Sequence, residues 1–429
     1  MEHGVTGPAP GGGPDRATGA GVRRVLVDLT GALLDPRPSG ARRVLAHLLE
    51  DVDVPGVRLE PAALLGDRWV TVPRWYASWV LRGGFGGAPG LAADDPSAPG
   101  AGEQAVVRGW QDQALREVPV DDVAARAEGY LLGQVSADPL VLDAARRAQQ
   151  AGVPTVLVYH DSLSSLHPGL VDTELHVPLN EYAVLAAHVD HVVFLSGAAR
   201  EEFERRVRRS PVPHAVVAHP GAEAADLLGP GTPEVVELPR TDEPSDGPEV
   251  PHFVCLGAVE PRKRTDVVVT AVERLRAAGV PARLTVVGDR AAGPPGFLGP
   301  LRRKADDGAF EWVHGLSDAA VARLLSGATA LVFPSEHEGY GLPPVEALAL
   351  GTPVVTAADL PALEAVGGAG QLRLEHVDED SVLGALAELA DPAVAGRLRA
   401  EAQDVELPTW EEFARRVADL LARAVAGGG

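Results

Sequence analysis

Short apolar runs alternate with helical patterns along most of the 429-residue chain. Arg24-Val25-Leu26-Val27-Asp28-Leu29 is compact and apolar, as a buried parallel strand must be. Over 39–49 the period changes: Val44, Leu45, Leu48 and Leu49 share one helical face, with Ser39 available as its cap. The pattern blurs across 56–103, where Trp69, Trp75, Tyr76 and Trp79 precede a Gly/Pro/Asp-rich stretch expected to be mobile or irregular. Helical spacing returns at 121–132 and 138–150. Strands are then expected at 153–159, 191–195 and 215–218, with helices near 180–189 and 198–208 between them. Residues 226–251, rich in Pro, Gly and acid, make the best linker. Beyond them the alternation restarts, with strands at 253–256, 282–287, 310–313, 330–333 and 353–356. Helices are expected near 265–278, 299–307, 317–325, 344–350, 379–389 and 391–404, and a last amphipathic one opens at Pro408-Thr409-Trp410. Two successive series of this kind predict two doubly wound α/β domains with a cleft between them.

The length agrees with two cores, and 45% apolar residues suffice to fill them. A formal charge of −22 sets the surface against nucleic acid and anionic lipid at long range, leaving room only for local basic pockets. The single cysteine, Cys255, lies inside an apolar run, which excludes a disulfide framework and predicts burial in a strand. No apolar run is long enough to span a bilayer. The first 21 residues have neither a basic head nor an apolar stretch and read as a disordered tail, so a cytoplasmic protein is expected. Lys263 and Lys304 are the only lysines, a bias that fits a GC-rich, actinobacterium-like genome and draws attention to where each is placed.

Two stretches carry candidate chemistry. In the first, a strand ending at Phe333 gives way to a loop with Glu338, Gly339 and Gly341, and a helix then opens at Pro343-Pro344 with Glu346 one turn in. Glycine permits close backbone approach, proline suits a first helical turn, and the unpaired amides of a helix start seat an anion. Glu346 is within reach of a ribose diol. The same residues also fit an ordinary turn whose acids complement the helix dipole. In the second, Gly257-Ala258-Val259-Glu260-Pro261-Arg262-Lys263-Arg264 follows strand 253–256. Three adjacent cations there can neutralise a diphosphate, or can simply be a solvated turn.

The second stretch resembles the Gly-x-x-Glu-Pro-Arg-Lys segment of family 4 retaining glycosyltransferases. Glu338 to Glu346, within EGYGLPPVEALALGTPVV, resembles that family's Glu-x7-Glu signature. VHGLSD at 313–318, LPALEAVGGAG at 360–370 and the Trp410 helix start are similar in family order. The resemblance implies a GT-B fold: two Rossmann-like domains facing across a cleft, with a C-terminal helix crossing back to the first. The expected division is an acceptor domain at 22–228, completed by helix 408–425, a linker at 229–250, and a nucleotide-sugar donor domain at 251–407. By the same resemblance, Arg262 and Lys263 contact the donor diphosphate, Glu346 the ribose and Glu338 the sugar, while amides of Gly341 and Leu342 hold phosphate or sugar hydroxyls. Ala258 stands where many relatives carry an arginine, which shifts phosphate binding toward Arg262 and Lys263.

In the first domain, Tyr159-His160-Asp161 resembles the family's strand-end His-Asp segment. His160 would steady a sugar hydroxyl and Asp161 would orient it. Gly40, within Pro38-Ser39-Gly40-Ala41-Arg42-Arg43, resembles the glycine-rich turn near donor phosphate or acceptor, with Ala41 and Arg43 as departures. Leu195-Ser196-Gly197-Ala198 lacks the acid that relatives place after the serine, and His219-Pro220-Gly221-Ala222-Glu223 resembles a loop near the interdomain crossing. Trp69, Trp75 and Trp79 either stack on sugar rings or close a small core. Together these residues imply anomer-retaining transfer from a nucleoside-diphosphate sugar to a hydroxyl acceptor, with Lys263, Glu338 and His160 as the catalytic set. No cofactor or essential metal is expected. Two other readings of the same pocket are a nucleotide-sugar epimerase of this fold and a non-catalytic nucleotide-sugar-binding protein.

Overall fold

A computed structural model describes residues 22–34, 39–65, 68–82, 127–136, 138–161, 176–224, 227, 250–288 and 296–427. The expected tail, most of the Gly/Pro-rich stretch after Trp79, Pro38 and nearly all of the expected linker lie outside these residues.

The described residues form two sheets. The first contains β1 (Arg23–Asp28), β2 (Val57–Leu65), β3 (Arg68–Thr71), β4 (Gly129–Leu132), β5 (Thr155–Tyr159), β6 (His191–Phe194) and β7 (His214–Val217), in the order β3-β2-β1-β4-β5-β6-β7. Among the described residues only its β2–β3 pair is antiparallel. The second contains β8 (His252–Leu256), β9 (Arg283–Val287), β10 (Glu311–Val313), β11 (Ala330–Phe333), β12 (Val354–Ala357) and β13 (Gln371–Leu374), all parallel, in the order β10-β9-β8-β11-β12-β13. In each sheet the order reverses beside the first strand, so a crevice opens at the carboxyl ends of β1 and β4 and again at those of β8 and β11.

Apolar strands buried on both faces form the cores, Cys255 among them. Helix starts follow the expected capping chemistry. Ser39 accepts from the Arg42 amide and starts the Gly40–Glu50 helix, and Asp138 does the same for Pro139–Gln150. Each such cap is worth about 1 kcal/mol.

Several elements differ from expectation. Residues 129–132 are the central strand β4 rather than the end of a helix. A four-residue run buried on both faces has no alternation to reveal it. The blurred region holds β2 and β3. Pro61 is tolerated in β2 because the antiparallel partner begins one residue later, at Ala62. The helix expected at 180–189 runs instead from His176 to Ala186. β13 forms an edge that hydrophobic spacing did not mark.

The last helix, Trp410–Gly427, returns to the first sheet and buries Phe413, Val417, Leu420 and Leu421. Its start is fixed from two sides. Glu223 accepts from the Trp410 amide at 2.9 Å, and the Trp410 ring stacks on His47 with centroids 3.7 Å apart. A Cβ on Gly221 would lie 2.2 Å from that same amide, so only glycine fits. The loop around Glu223, expected near the crossing, thus acts as the cap of the crossing helix. No helix among the described residues is long and apolar enough to cross a membrane.

Candidate active site

β8 delivers the chain to Gly257, whose φ of +118° turns it sharply away from the strand. A short 3-10 turn, Pro261–Lys263, follows, and Arg264 adopts a left-handed conformation (φ 52°) that launches the Thr265–Ala277 helix. This kink separates the three adjacent cations. Arg262 and Lys263 face the cleft, whereas Arg264 turns to pair with Glu336.

β11 brings its own loop alongside. One oxygen of Glu338 accepts from Arg262 Nη1 at 2.8 Å, from Ser335 Oγ at 2.8 Å and from Lys263 Nζ. Arg262 also donates to Glu260 at 2.8 Å and to the His337 carbonyl at 3.0 Å, which locks its fork in place. Lys263 Nζ sits 4.4 Å above the centre of the Phe333 ring. Burial alone would raise the Glu338 carboxyl, but Lys263, Arg262 and Ser335 outweigh it and hold the group below its ordinary range. Burial lowers the Lys263 ammonium despite Glu338. For Arg262 burial works the same way, yet Glu338 and Glu260 prevail and raise it. The result is a charged, pre-ordered cluster that an incoming anion would join.

Gly341 (φ +94°, ψ 66°) precedes the Leu342–Ala349 helix and provides no side-chain cap. Because Pro343 and Pro344 lack N–H groups, the amides available at this start are those of Gly341 and Leu342.

The first sheet supplies the facing wall. His160 follows β5, and its Nε2 lies 2.8 Å from the Gly133 carbonyl. Against a carbonyl that nitrogen must donate, which leaves Nδ1 as the acceptor. Burial lowers the imidazole's pKa, with the Gly133 carbonyl and Asp161 opposing, so the ring is neutral near pH 7. Gly339 comes so close that an added Cβ would lie 1.8 Å from the His160 carbonyl oxygen. Gly40 lies against Leu342, where a Cβ would approach to 2.9 Å. Arg42 turns inward and donates to the Val80 carbonyl, whereas Arg43 reaches across to Glu346 and, at 3.2 Å, to Asp318.

Further contacts tie the two walls. Ser196 Oγ donates to the Gly339 carbonyl at 3.0 Å, and Tyr340 donates to that of Pro220 at 3.2 Å. Glu364 accepts from the Gly197 and Ala198 amides, both at 2.8 Å. The position that lacks an acid after Ser196 is thereby capped by an acid from the opposite unit. Between the walls lies a cavity of about 640 Å³, bordered by Gly40, His160, Asp161, Arg262, Lys263, Glu338, Gly341, Leu342 and Glu346.

This architecture agrees with the comparisons. Residues 250–391 match the family model of glycosyl transferases group 1. A GDP-mannose-dependent alpha-(1-6)-phosphatidylinositol dimannoside mannosyltransferase of Mycobacterium tuberculosis is 28% identical over 289 residues, 65% of this chain and 69% of that protein. The serotype-specific mannosyltransferase WbdA of Escherichia coli is 24% identical over 358 residues, 80% of this chain but 40% of that protein. HepE of Anabaena, crystallised with UDP, superposes with a TM-score of 0.58 at 15% identity, covering 94% of this chain and all of that one. The chain has the GT-B fold and is similar to family 4 glycosyltransferases.

Within this nucleotide-sugar-dependent glycosyltransferase, the expected site residues fall into three groups. Those named above border the cavity. Trp69 does not: it is buried in the first unit's core, edge-to-face with Tyr130 at 5.5 Å, because β3 turns it inward. Stacking of Trp69 on a sugar is therefore corrected to a packing role. The side chains of Trp75 and Trp79 lie outside the described residues. Sequence reasoning marked Arg43 only as a departure from the family's glycine-rich turn, and it gave Asp318 and Glu364 no role of their own although both lie in segments that resemble the family.

Proposed function

We propose that this glycosyltransferase moves a hexose or modified sugar from a nucleoside-diphosphate sugar to a hydroxyl of a glycan, lipid or small-molecule acceptor, with retention of anomeric configuration. The observation that carries this reading is the convergence on one cavity of Arg262, Lys263 and the Gly341–Leu342 amides from one unit with His160 from the other. The diphosphate would lie against the two cations and the helix start, with ribose on Glu346 and the sugar near Glu338 and His160.

As the bond from C1 to the phosphate oxygen breaks, its electron pair passes to the diphosphate, where Arg262 and Lys263 stabilise the growing charge. The acceptor oxygen then bonds to C1 on the same face, and its proton goes to the departing phosphate oxygen. In this scheme the two cations neutralise the leaving group without a metal. Neutral His160, fixed through Nε2, can accept a sugar hydroxyl at Nδ1 and hold the ring in register. The walls that meet at Gly339 exclude water that would otherwise hydrolyse the donor.

GDP-mannose and UDP-glucose are the first donors to test, because the relatives and the structural neighbour point to different bases. Proton NMR of the product should show the donor's anomeric configuration. An inverted product would overturn the mechanism while leaving donor binding intact. Binding without any release of nucleoside diphosphate would instead favour a non-catalytic binding protein.

A further inference from the structure

Glu346 stands on the donor side of the cleft, but its ion-pair partner comes from the other side. Only 8% of its side chain is exposed, and so buried a carboxylate is costly to leave unpaired. Arg43, in the first turn of the Gly40–Glu50 helix, supplies the charge. Its second nitrogen holds Asp318 at 3.2 Å, so one planar guanidinium lies between two carboxylates of the opposite unit. The contact of Gly40 with Leu342 fixes the distance Arg43 must reach, because Leu342 opens the helix that carries Glu346.

We propose that Arg43 is a positioning residue for Glu346, which makes recognition of the donor ribose depend on the facing unit being closed. The inference rests on the reading of Glu346 as the ribose carboxylate. A carboxylate has about four acceptor sites, so a guanidinium on one oxygen leaves capacity for two hydroxyls. Without Arg43, Glu346 would either take up a proton or turn toward water, and both weaken its grip on a diol. Lysine offers a point charge rather than a fork and cannot hold both carboxylates in the same geometry.

The test titrates GDP and UDP, each alongside its 2′,3′-dideoxy analogue, into the wild type, R43Q, R43K and E346Q, with melting temperatures checked for each. The wild type should prefer the ribose form by about tenfold or more, the size of a charge-assisted hydrogen-bond loss. R43Q should lose most of that preference while binding the dideoxy ligand within about twofold of wild type, and R43K should lie between them. Equal losses on both ligands would assign Arg43 to the phosphates or to folding, and unchanged discrimination would leave it no role. Either result overturns the proposal. If E346Q itself keeps wild-type discrimination, the ribose assignment of Glu346 has failed. If E346Q loses discrimination while R43Q keeps it, only the role of Arg43 has failed.

Discussion

Gly339 packs against the backbone of the facing wall with no room for a Cβ, and replacing it with alanine is a direct test of how tightly the walls must close. A Cβ at this position would lie 1.8 Å from the His160 carbonyl oxygen, 2.7 Å from its carbon and 3.0 Å from the Asp161 Cβ. Because the clash is with backbone, no side-chain rotation relieves it. The loops would have to part by more than about 1 Å, at an overpacking cost of about 1–3 kcal/mol. The same movement pulls the Gly339 carbonyl away from Ser196 and displaces His160 relative to Glu338. A misplacement of about 1 Å at reacting groups can cost about 100-fold in rate. Steady-state transfer by Gly339→Ala should therefore fall about 100-fold in kcat/KM, while the variant still folds and melts cooperatively. Hydrolysis of the donor, measured as nucleoside diphosphate released without acceptor, should take a larger share of turnover because water gains entry. Transfer within threefold of wild type would refute the idea that this contact sets the working geometry.

Glu364→Ala removes the carboxylate that caps the Ser196 helix from across the cleft and should cost about 1 kcal/mol, or about 2–4 °C in Tm; Glu364→Gln should recover part of it, and an unchanged Tm would argue that this cap holds nothing. Burial raises the Asp28 carboxyl to about 6, against opposing bonds from Thr30. A carboxyl raised in the folded state contributes stability that is present below its unfolded pKa and lost as pH rises through about 6. Asp28→Asn should thus gain on the wild type by about 2 kcal/mol between pH 4 and pH 8 in urea melts, and a gap that does not change with pH would contradict the assignment.

Much of the fold is legible along the chain because parallel strands are short, apolar and separated by capped helices. The second sheet reads most clearly: Phe253–Leu256, Ala330–Phe333 and their flanking glycines place two loops at one switch point, where Arg262, Lys263 and Glu338 meet. The misread elements have physical causes. Gly129–Leu132 is too short for periodicity to distinguish strand from helix, and β2 hides behind Pro61. Trp69 drew a functional reading because aromatic rings suit sugars, but strand direction decided that it packs inward. Arg43 and Glu364 were out of reach for another reason. Their partners lie in the opposite unit, and no local pattern says how two sheets will face each other.

The central claim is that Arg262 and Lys263 receive the diphosphate of the donor. Calorimetric titration of a nucleoside, its monophosphate and its diphosphate into wild type and Lys263→Ala tests it most directly, because Glu338 retains Arg262 and Ser335 in the variant and the loop stays charged and ordered. The account predicts that the variant loses about tenfold or more in affinity for the diphosphate while binding the nucleoside as wild type does. Equal affinity for the diphosphate in both proteins, or an equal loss for all three ligands, would contradict it.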